Sequence, residues 1–81
     1  MILGEATVTR VYNHADAQKL VSHCMRYDSE ITMELGTKKI NGKSLMGVIS
    51  MALKPGDAVT VIAKGDDQEQ ATADIVRLLA Q

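Results

Sequence analysis

The sequence predicts an α+β domain in which three helices cover one face of a four-stranded, mainly antiparallel sheet. Two kinds of segment alternate along the chain: some alternate apolar and polar residues, as strands do, and others repeat apolar residues at helical spacing. The connections between these segments are short, and each predicted helix has a single apolar face. No linker, repeat or low-complexity tract interrupts them, so residues 1–81 are predicted to form one domain.

The first strand is predicted over 5–11, where valine and threonine favour extended structure. The first helix is predicted from about Ala15 to Tyr27. Asn13 is a strong N-cap residue, and Asp16 lies three positions later, as in a capping box. The buried face of this helix is expected to carry the apolar residues that recur at helical spacing, which are Ala17, Leu20, Val21 and Cys24.

A β-hairpin is predicted next. Residues 30–35 alternate isoleucine, methionine and leucine with glutamate and threonine, which is typical of a half-buried strand. Gly36 and Thr37 form a tight turn, so residues 38–40 should return antiparallel to the first arm.

A fourth strand and a last helix complete the chain. Residues 58–63 are almost entirely apolar, as expected for a buried strand. In the helix that follows, Asp66 is the predicted N-cap, with Glu69 three residues later. Its buried side should carry Ala71, Ile75, Val76 and Leu79. With a short helix between the hairpin and the fourth strand, the element order is β-α-β-β-α-β-α.

The segment from Ile40 to Met51 lies at the centre of this arrangement. Asn41 and Gly42 form a turn, and Ser44 precedes an apolar run, so Ser44 is the predicted N-cap of a short helix that ends near Leu53. This run has more apolar side chains than one face of a short helix can bury. Some of them should therefore lie in water and suggest a contact surface for a partner, the candidates being Leu45, Met46 and Ile49.

Composition excludes several classes of function. A net charge of −1, a pI near 6 and only two aromatic residues, both tyrosines, give no basis for nucleic-acid binding. One cysteine, Cys24, rules out an internal disulfide and favours the cytoplasm, and no segment is long enough to span a membrane. His23 has no neighbour at ligand spacing, so we expect no metal site, and nothing in the sequence calls for a cofactor.

The segments NGKSLMGVISM and GDAVTVIAKGDDQEQA, together with the element order, resemble the HPr family, the phosphocarriers of the sugar phosphotransferase system. The resemblance covers nearly the whole chain and is strongest after Ser29. It implies the open-faced β-sandwich of that family. It also implies that Ser44 is the serine that an ATP-dependent HPr kinase phosphorylates. By the same resemblance, the kinase and a catabolite-control transcription factor would dock on Leu45, Met46 and Ile49.

The family's active centre does not match. HPr proteins carry a Gly-Leu-His-Ala-Arg-Pro-Ala motif, whose histidine receives phosphate from phosphoenolpyruvate through Enzyme I. In an ungapped alignment from Ser29, Asn13 occupies the histidine position, Ala15 the arginine position and Asp16 the proline position. A histidine, His14, follows one place later. The chain in this respect resembles the catabolite-repression HPr paralogue, which lacks the histidine, keeps the serine and acts only as a regulator.

Three hypotheses follow. The first is a regulatory protein that docks partners under the control of phosphorylation at Ser44. The second is a phosphocarrier that uses His14, although Asp16 places negative charge where a phosphoryl group would lie and the family's arginine is absent. The third is an HPr fold that is reused for an unrelated interaction.

Overall fold

A computed structural model describes all 81 residues. The elements are β1 (Ile2–Thr7), α1 (His14–Cys24), β2 (Glu30–Leu35), β3 (Lys38–Asn41), α2 (Leu45–Met51), β4 (Ala58–Lys64) and α3 (Gln68–Leu79). The four strands form one sheet in the order β1-β4-β2-β3, and every neighbouring pair is antiparallel. The predicted order β-α-β-β-α-β-α and the antiparallel sheet are confirmed.

One face of the sheet is buried by the helices. In β4, Val59, Val61 and Ala63 are buried, and they pair with residues of β1 and β2 that face the same way. On the other face, Leu3 remains exposed beside half-buried Ile62. The helices contribute to the same core Ala17, Leu20, Cys24, Val48, Met51, Ala71, Ile75, Leu78 and Leu79. This is the open-faced β-sandwich that the sequence predicts, with one face bare.

The first strand lies further toward the N-terminus than predicted. It covers Ile2–Thr7 rather than 5–11, because its pairing with β4 extends through Gly4. Glycine usually weakens a strand, so the local sequence does not favour one that runs through Gly4. Here Gly4 is required by packing, since a Cβ at this position would lie 2.7 Å from Thr72 Cγ2 and 2.9 Å from Val76 Cγ2 on α3.

Two predicted helix ends are too long. α1 stops at Cys24, with Met25 as its C-cap, and Tyr27 lies beyond it with its hydroxyl bonded to the carboxylate of Asp74 on α3. α2 stops at Met51 because Ala52 has left-handed backbone angles, with φ of 49° and ψ of 53°. None of the three helices has the length and apolar character needed to cross a membrane.

The predicted cap of α3 is wrong. The N-cap is Asp67 rather than Asp66, and its side chain does not cap the helix. Instead, Asp67 accepts hydrogen bonds from the backbone N–H of Asp28 and of Ser29, each at 3.0 Å, and from the buried hydroxyl of Ser29. These bonds, led by the Ser29 hydroxyl, hold the pKa of the Asp67 carboxyl below its usual value. The carboxylate thereby joins the start of α3 to the loop that precedes β2.

Cys24 belongs to the core, as predicted. Its side chain is fully buried, and a Cβ on Gly42 would lie only 3.1 Å from its sulfur. Burial raises the pKa of the Cys24 thiol to about 12, so the thiol stays protonated near neutral pH. Cys24 therefore serves packing rather than chemistry.

Candidate functional site

Ser44 begins α2 and is positioned by the turn before it. Its backbone N–H donates to the carbonyl of Asn41 at 3.0 Å, while the Asn41 side-chain oxygen accepts the N–H of Lys43 at 2.8 Å. The Ser44 hydroxyl in turn accepts the N–H of Gly47 at 3.1 Å, which is the N-cap bond that the sequence predicts. The half-buried hydroxyl therefore lies at the N-terminal end of a helix, near its free N–H groups.

The residues that follow Ser44 leave apolar surface in water. Met46 is 74% exposed and Ile49 is 37% exposed, and these two residues lie three apart on one side of α2. Leu45 is half-buried and borders a shallow depression that also contains Val21 of α1. We call Leu45, Met46 and Ile49 the α2 surface. Of the three, Met46 extends furthest into solvent.

A cleft of about 100 Å³ separates the α2 surface from the start of α1. Most of its lining is apolar, and the lining residues are Tyr12, Asn13, His14, Ala17, Val48, Ile49, Ala52 and Leu53. Ile49 thus belongs both to the α2 surface and to the wall of this cleft. The structure brings together Asn13, His14 and the α2 surface, which are far apart in sequence.

The start of α1 is a complete capping box. The Asn13 side chain accepts the N–H of Asp16 at 2.8 Å, and the Asp16 carboxylate accepts the N–H of Asn13 at 3.1 Å. His14 is the first residue of the helix, and its side chain is exposed. The sequence predicts this cap correctly, because the capping box is a local pattern.

The sequence analysis missed Arg10. Its guanidinium lies 3.5 Å from the Asp16 carboxylate and 5.7 Å from the centroid of the Tyr12 ring. Arg10 therefore brings a positive charge to the start of α1, although the family's arginine position holds Ala15. The only signal in the sequence is an arginine in the loop before a capping box that contains an aspartate.

Three lysines near α2 are already engaged. Lys38 Nζ donates to the carbonyl of Ser50 at 2.6 Å, at the C-terminal end of α2. Lys43 Nζ donates to the carbonyl of Tyr27 at 2.7 Å, and Lys39 Nζ lies 3.7 Å from Glu34. None of these ammonium groups bonds to Ser44, whose hydroxyl accepts the backbone N–H of Gly47.

A second polar cluster joins α1 to α3. The Asp74 carboxylate accepts the hydroxyl of Tyr27 at 2.8 Å, and the same carboxylate lies 3.4 Å from His23 Nδ1 and 3.5 Å from Arg77. Burial opposes ionisation of Asp74, but the bonds from Tyr27 and His23 outweigh it and lower its pKa. His23 and Tyr27 thereby tie α1 and the loop after it to α3. No three His, Cys, Asp or Glu side chains are arranged to hold a metal ion.

Comparisons with known proteins agree on one family. The model described as "PTS HPr component phosphorylation site" matches residues 13–81. The HPr-like protein Crh of Bacillus subtilis is 40% identical over 55 residues, which cover 68% of this chain and 65% of that protein. Crh of Halalkalibacterium halodurans is 35% identical over 63 residues, which cover 78% of this chain and 75% of that protein.

The structural comparison extends over the whole fold. The crystal structure of the phosphocarrier protein HPr from Bacillus anthracis superposes with a TM-score of 0.91 at 25% sequence identity. That superposition covers 96% of this chain and 95% of the other.

Proposed function

The chain belongs to the HPr family, and we propose that it is a regulatory member that docks protein partners on the α2 surface under the control of phosphorylation at Ser44. The observation that carries this proposal is the contrast between the two helix starts. At α2, Ser44 lies in the segment NGKSLMGVISM that resembles the family, beside the exposed apolar side chains of Met46 and Ile49. At α1, the family's phosphate-accepting position is occupied by a closed capping box.

The start of α1 is poorly suited to a phosphocarrier. Phosphoryl transfer depends on positioned positive charge, and the arginine nearest to His14 in sequence is paired with Asp16. The Asp16 carboxylate also accepts the backbone N–H of Asn13. This bond occupies one of the N–H donors that a phosphoryl group could otherwise use. A phosphate on His14 would have to compete with this carboxylate or displace it.

The start of α2 is well suited to a phosphate. Free N–H groups and the helix dipole stabilise an anion at this end, and α2 has no acidic residue in its first turn. A phosphoryl group on Ser44 would therefore keep the helix start intact. It would add about −1.5 to −2 charges beside Leu45 and Met46, and so change which partner can dock.

The partners that we propose are the HPr kinase and a catabolite-control transcription factor, both proteins of carbon catabolite control. The relatives named Crh support this assignment, since they are HPr-like proteins that cover most of this chain. As part of the proposal, the protein acts in the cytoplasm, where both partners would meet it. It acts by binding and not as an enzyme.

Docking on the α2 surface is tested with one charge placed inside it and one outside. Met46→Asp should abolish binding to HPr kinase, because a carboxylate would be buried against apolar groups. Leu3→Asp is the matched control, since Leu3 is 60% exposed but belongs to β1 on the bare face of the sheet. Unchanged binding of Met46→Asp, with both variants folded, would contradict the proposal.

A second candidate function is a phosphocarrier that uses His14, and one observation favours it. The His14 side chain is exposed and lines the cleft next to Ile49, so a donor protein could reach it. The third possibility is a reused fold with an unrelated partner. Phosphorylation by phosphoenolpyruvate with Enzyme I, or by ATP with HPr kinase, distinguishes these possibilities.

A further inference from the structure

We propose that Met46 is an oxidation-sensitive control point, at which a peroxide converts the thioether to a sulfoxide and thereby weakens docking on the α2 surface. This inference rests on the proposed docking function and adds a second means of controlling the same surface. It concerns a modification site that is separate from Ser44 and needs no kinase.

The burial of the five methionines makes the reaction selective. Met33 is fully buried and Met51 is 3% exposed, and both lie in the core. Met46 is 74% exposed, as Met1 and Met25 also are at 73% and 62%. A peroxide in solution therefore reaches three sulfur atoms and leaves the core methionines protected, so the fold should survive the oxidation.

Only Met46 among the exposed methionines belongs to the α2 surface. It follows Leu45 in the first turn of α2 and precedes Ile49 by three residues, which places it on the same side of the helix as Ile49. It lies two residues after Ser44. Its side chain is not part of the buried core, so a change at its sulfur acts on binding rather than on folding.

The chemistry balances with hydrogen peroxide as the oxidant. The sulfur lone pair of Met46 attacks one peroxide oxygen, an S–O bond forms, and the O–O bond breaks. The sulfur loses two electrons, the second peroxide oxygen departs as hydroxide, and this hydroxide takes the proton from the transferred oxygen to give the neutral sulfoxide and one molecule of water. Methionine sulfoxide reductases reverse the reaction, so the change can act as a switch.

The product conflicts with the surroundings of Met46 in a docked complex. A sulfoxide oxygen is a strong hydrogen-bond acceptor, and its desolvation is unfavourable unless a donor replaces the lost water. The adjacent side chains of the surface, Leu45 and Ile49, carry no donor. The sulfoxide is uncharged, so the Ser44 cap and the helix dipole are unaffected, and the two controls act independently.

The experiment measures binding before and after oxidation. The purified protein is treated with hydrogen peroxide, catalase removes the excess, and peptide mass spectrometry identifies the oxidised methionines. Binding to HPr kinase is then measured by calorimetry. We expect oxidation at Met46 but not at Met33 or Met51, an affinity at least about tenfold lower, and recovery of affinity after treatment with methionine sulfoxide reductase.

Two conservative variants assign the effect to one sulfur. The affinity of Met46→Leu, whatever its value before treatment, should not change on exposure to peroxide, whereas Met25→Leu should lose affinity as the wild type does. Thermal unfolding of each oxidised sample checks that the fold is retained. Oxidised wild type that binds within about twofold of the reduced protein, or Met46→Leu that stays peroxide-sensitive, overturns this inference alone. A reduced wild type that does not bind overturns the proposed function and this inference with it.

Discussion

The guanidinium of Arg10 lies 3.5 Å from the carboxylate of Asp16, so a cation from the preceding loop meets an anion in the first turn of α1. The same carboxylate accepts the backbone N–H of Asn13 at 3.1 Å. The end of the helix that would have to hold a phosphoryl group on His14 is thus occupied by the chain's own charges. This relationship distinguishes the start of α1 from the start of α2, where no acidic residue is present in the first turn.

The two partners of Asp16 should differ in their contribution to stability. Asp16→Ala removes half of the capping box, and we expect the free energy of unfolding to fall by about 1 kcal/mol. Arg10→Ala removes a partly exposed ion pair and the contact with the Tyr12 ring, and it should cause the smaller loss, about 0.5 kcal/mol. Urea denaturation of both variants at pH 7 checks the difference. Equal losses would show that the ion pair, rather than the cap, stabilises this turn.

Replacing Thr72 with valine should stabilise the protein. It is buried against β1, and its hydroxyl oxygen has no hydrogen-bond partner. Thr72→Val keeps the shape and removes the unsatisfied group, so we expect the free energy of unfolding to rise by about 1 kcal/mol. Thr72→Ser, which keeps the hydroxyl and loses a methyl group, is the matched control and should be destabilised. A destabilised valine variant in urea denaturation would mean that the hydroxyl does find a partner.

Replacing Ala52 with glycine should stabilise the protein. Its φ of 49° lies in the left-handed region, which is unfavourable for a residue with a Cβ and suits glycine at the end of a helix. We expect Ala52→Gly to raise the free energy of unfolding by about 0.5 to 1 kcal/mol. Ala80, the C-cap of α3, has a φ of −88° and provides the control. Ala80→Gly gains no such relief, so a thermal melt should show no increase in its midpoint.

Asp67 should make the protein sensitive to acid. Its pKa is lowered in the folded state, above all by the Ser29 hydroxyl, and it returns to about 3.9 on unfolding. The unfolded state therefore binds this proton more readily, and the stabilisation is complete above about pH 5 and is lost as the pH falls through the folded value. Asp67→Asn should be less stable than the wild type at pH 7, and this difference should shrink as the pH falls below about 4, where the unfolded aspartate takes up its proton.

Asp66→Asn serves as the control for this contact. Asp66 is the exposed neighbour of Asp67, and its substitution should leave the stability at pH 7 close to that of the wild type. The measurement is urea denaturation from pH 7 to pH 3. A difference between wild type and Asp67→Asn that stays constant over this range would contradict the account of this contact.

The parts of the molecule that the sequence predicts well depend on local signals. The hairpin from Glu30 to Asn41 follows from its alternation and from the turn at Gly36, and Ser44 and Asn13 are recognisable as caps within four residues. Exposure of Met46 follows from an excess of apolar side chains in a short helix. These features need no knowledge of distant contacts.

The sequence-based predictions fail where contacts between residues far apart in the chain determine the local structure. Gly4 pairs with Val61 of β4, and the packing of α3 leaves no room for a side chain there. The Asp67 carboxylate accepts three hydrogen bonds from Asp28 and Ser29 and does not cap α3. Arg10 reaches Asp16 because of the path of the loop before α1. In each case the contacting residue is brought into place by the tertiary fold, so a local sequence pattern does not predict the contact.

The central claim, a regulator controlled at Ser44 rather than a carrier at His14, is tested most directly by intact mass spectrometry after two separate reactions. One contains ATP and HPr kinase, and the other contains phosphoenolpyruvate and Enzyme I. Each sample is measured before and after brief acid treatment, because phosphoserine survives acid and phosphohistidine does not.

We predict an acid-stable gain of one phosphate only with ATP and the kinase, absent in Ser44→Ala and retained in His14→Ala. An acid-labile gain with phosphoenolpyruvate that disappears in His14→Ala would contradict the account and make the protein a carrier. No gain in either reaction would contradict it equally and would favour a reused fold with an unrelated partner.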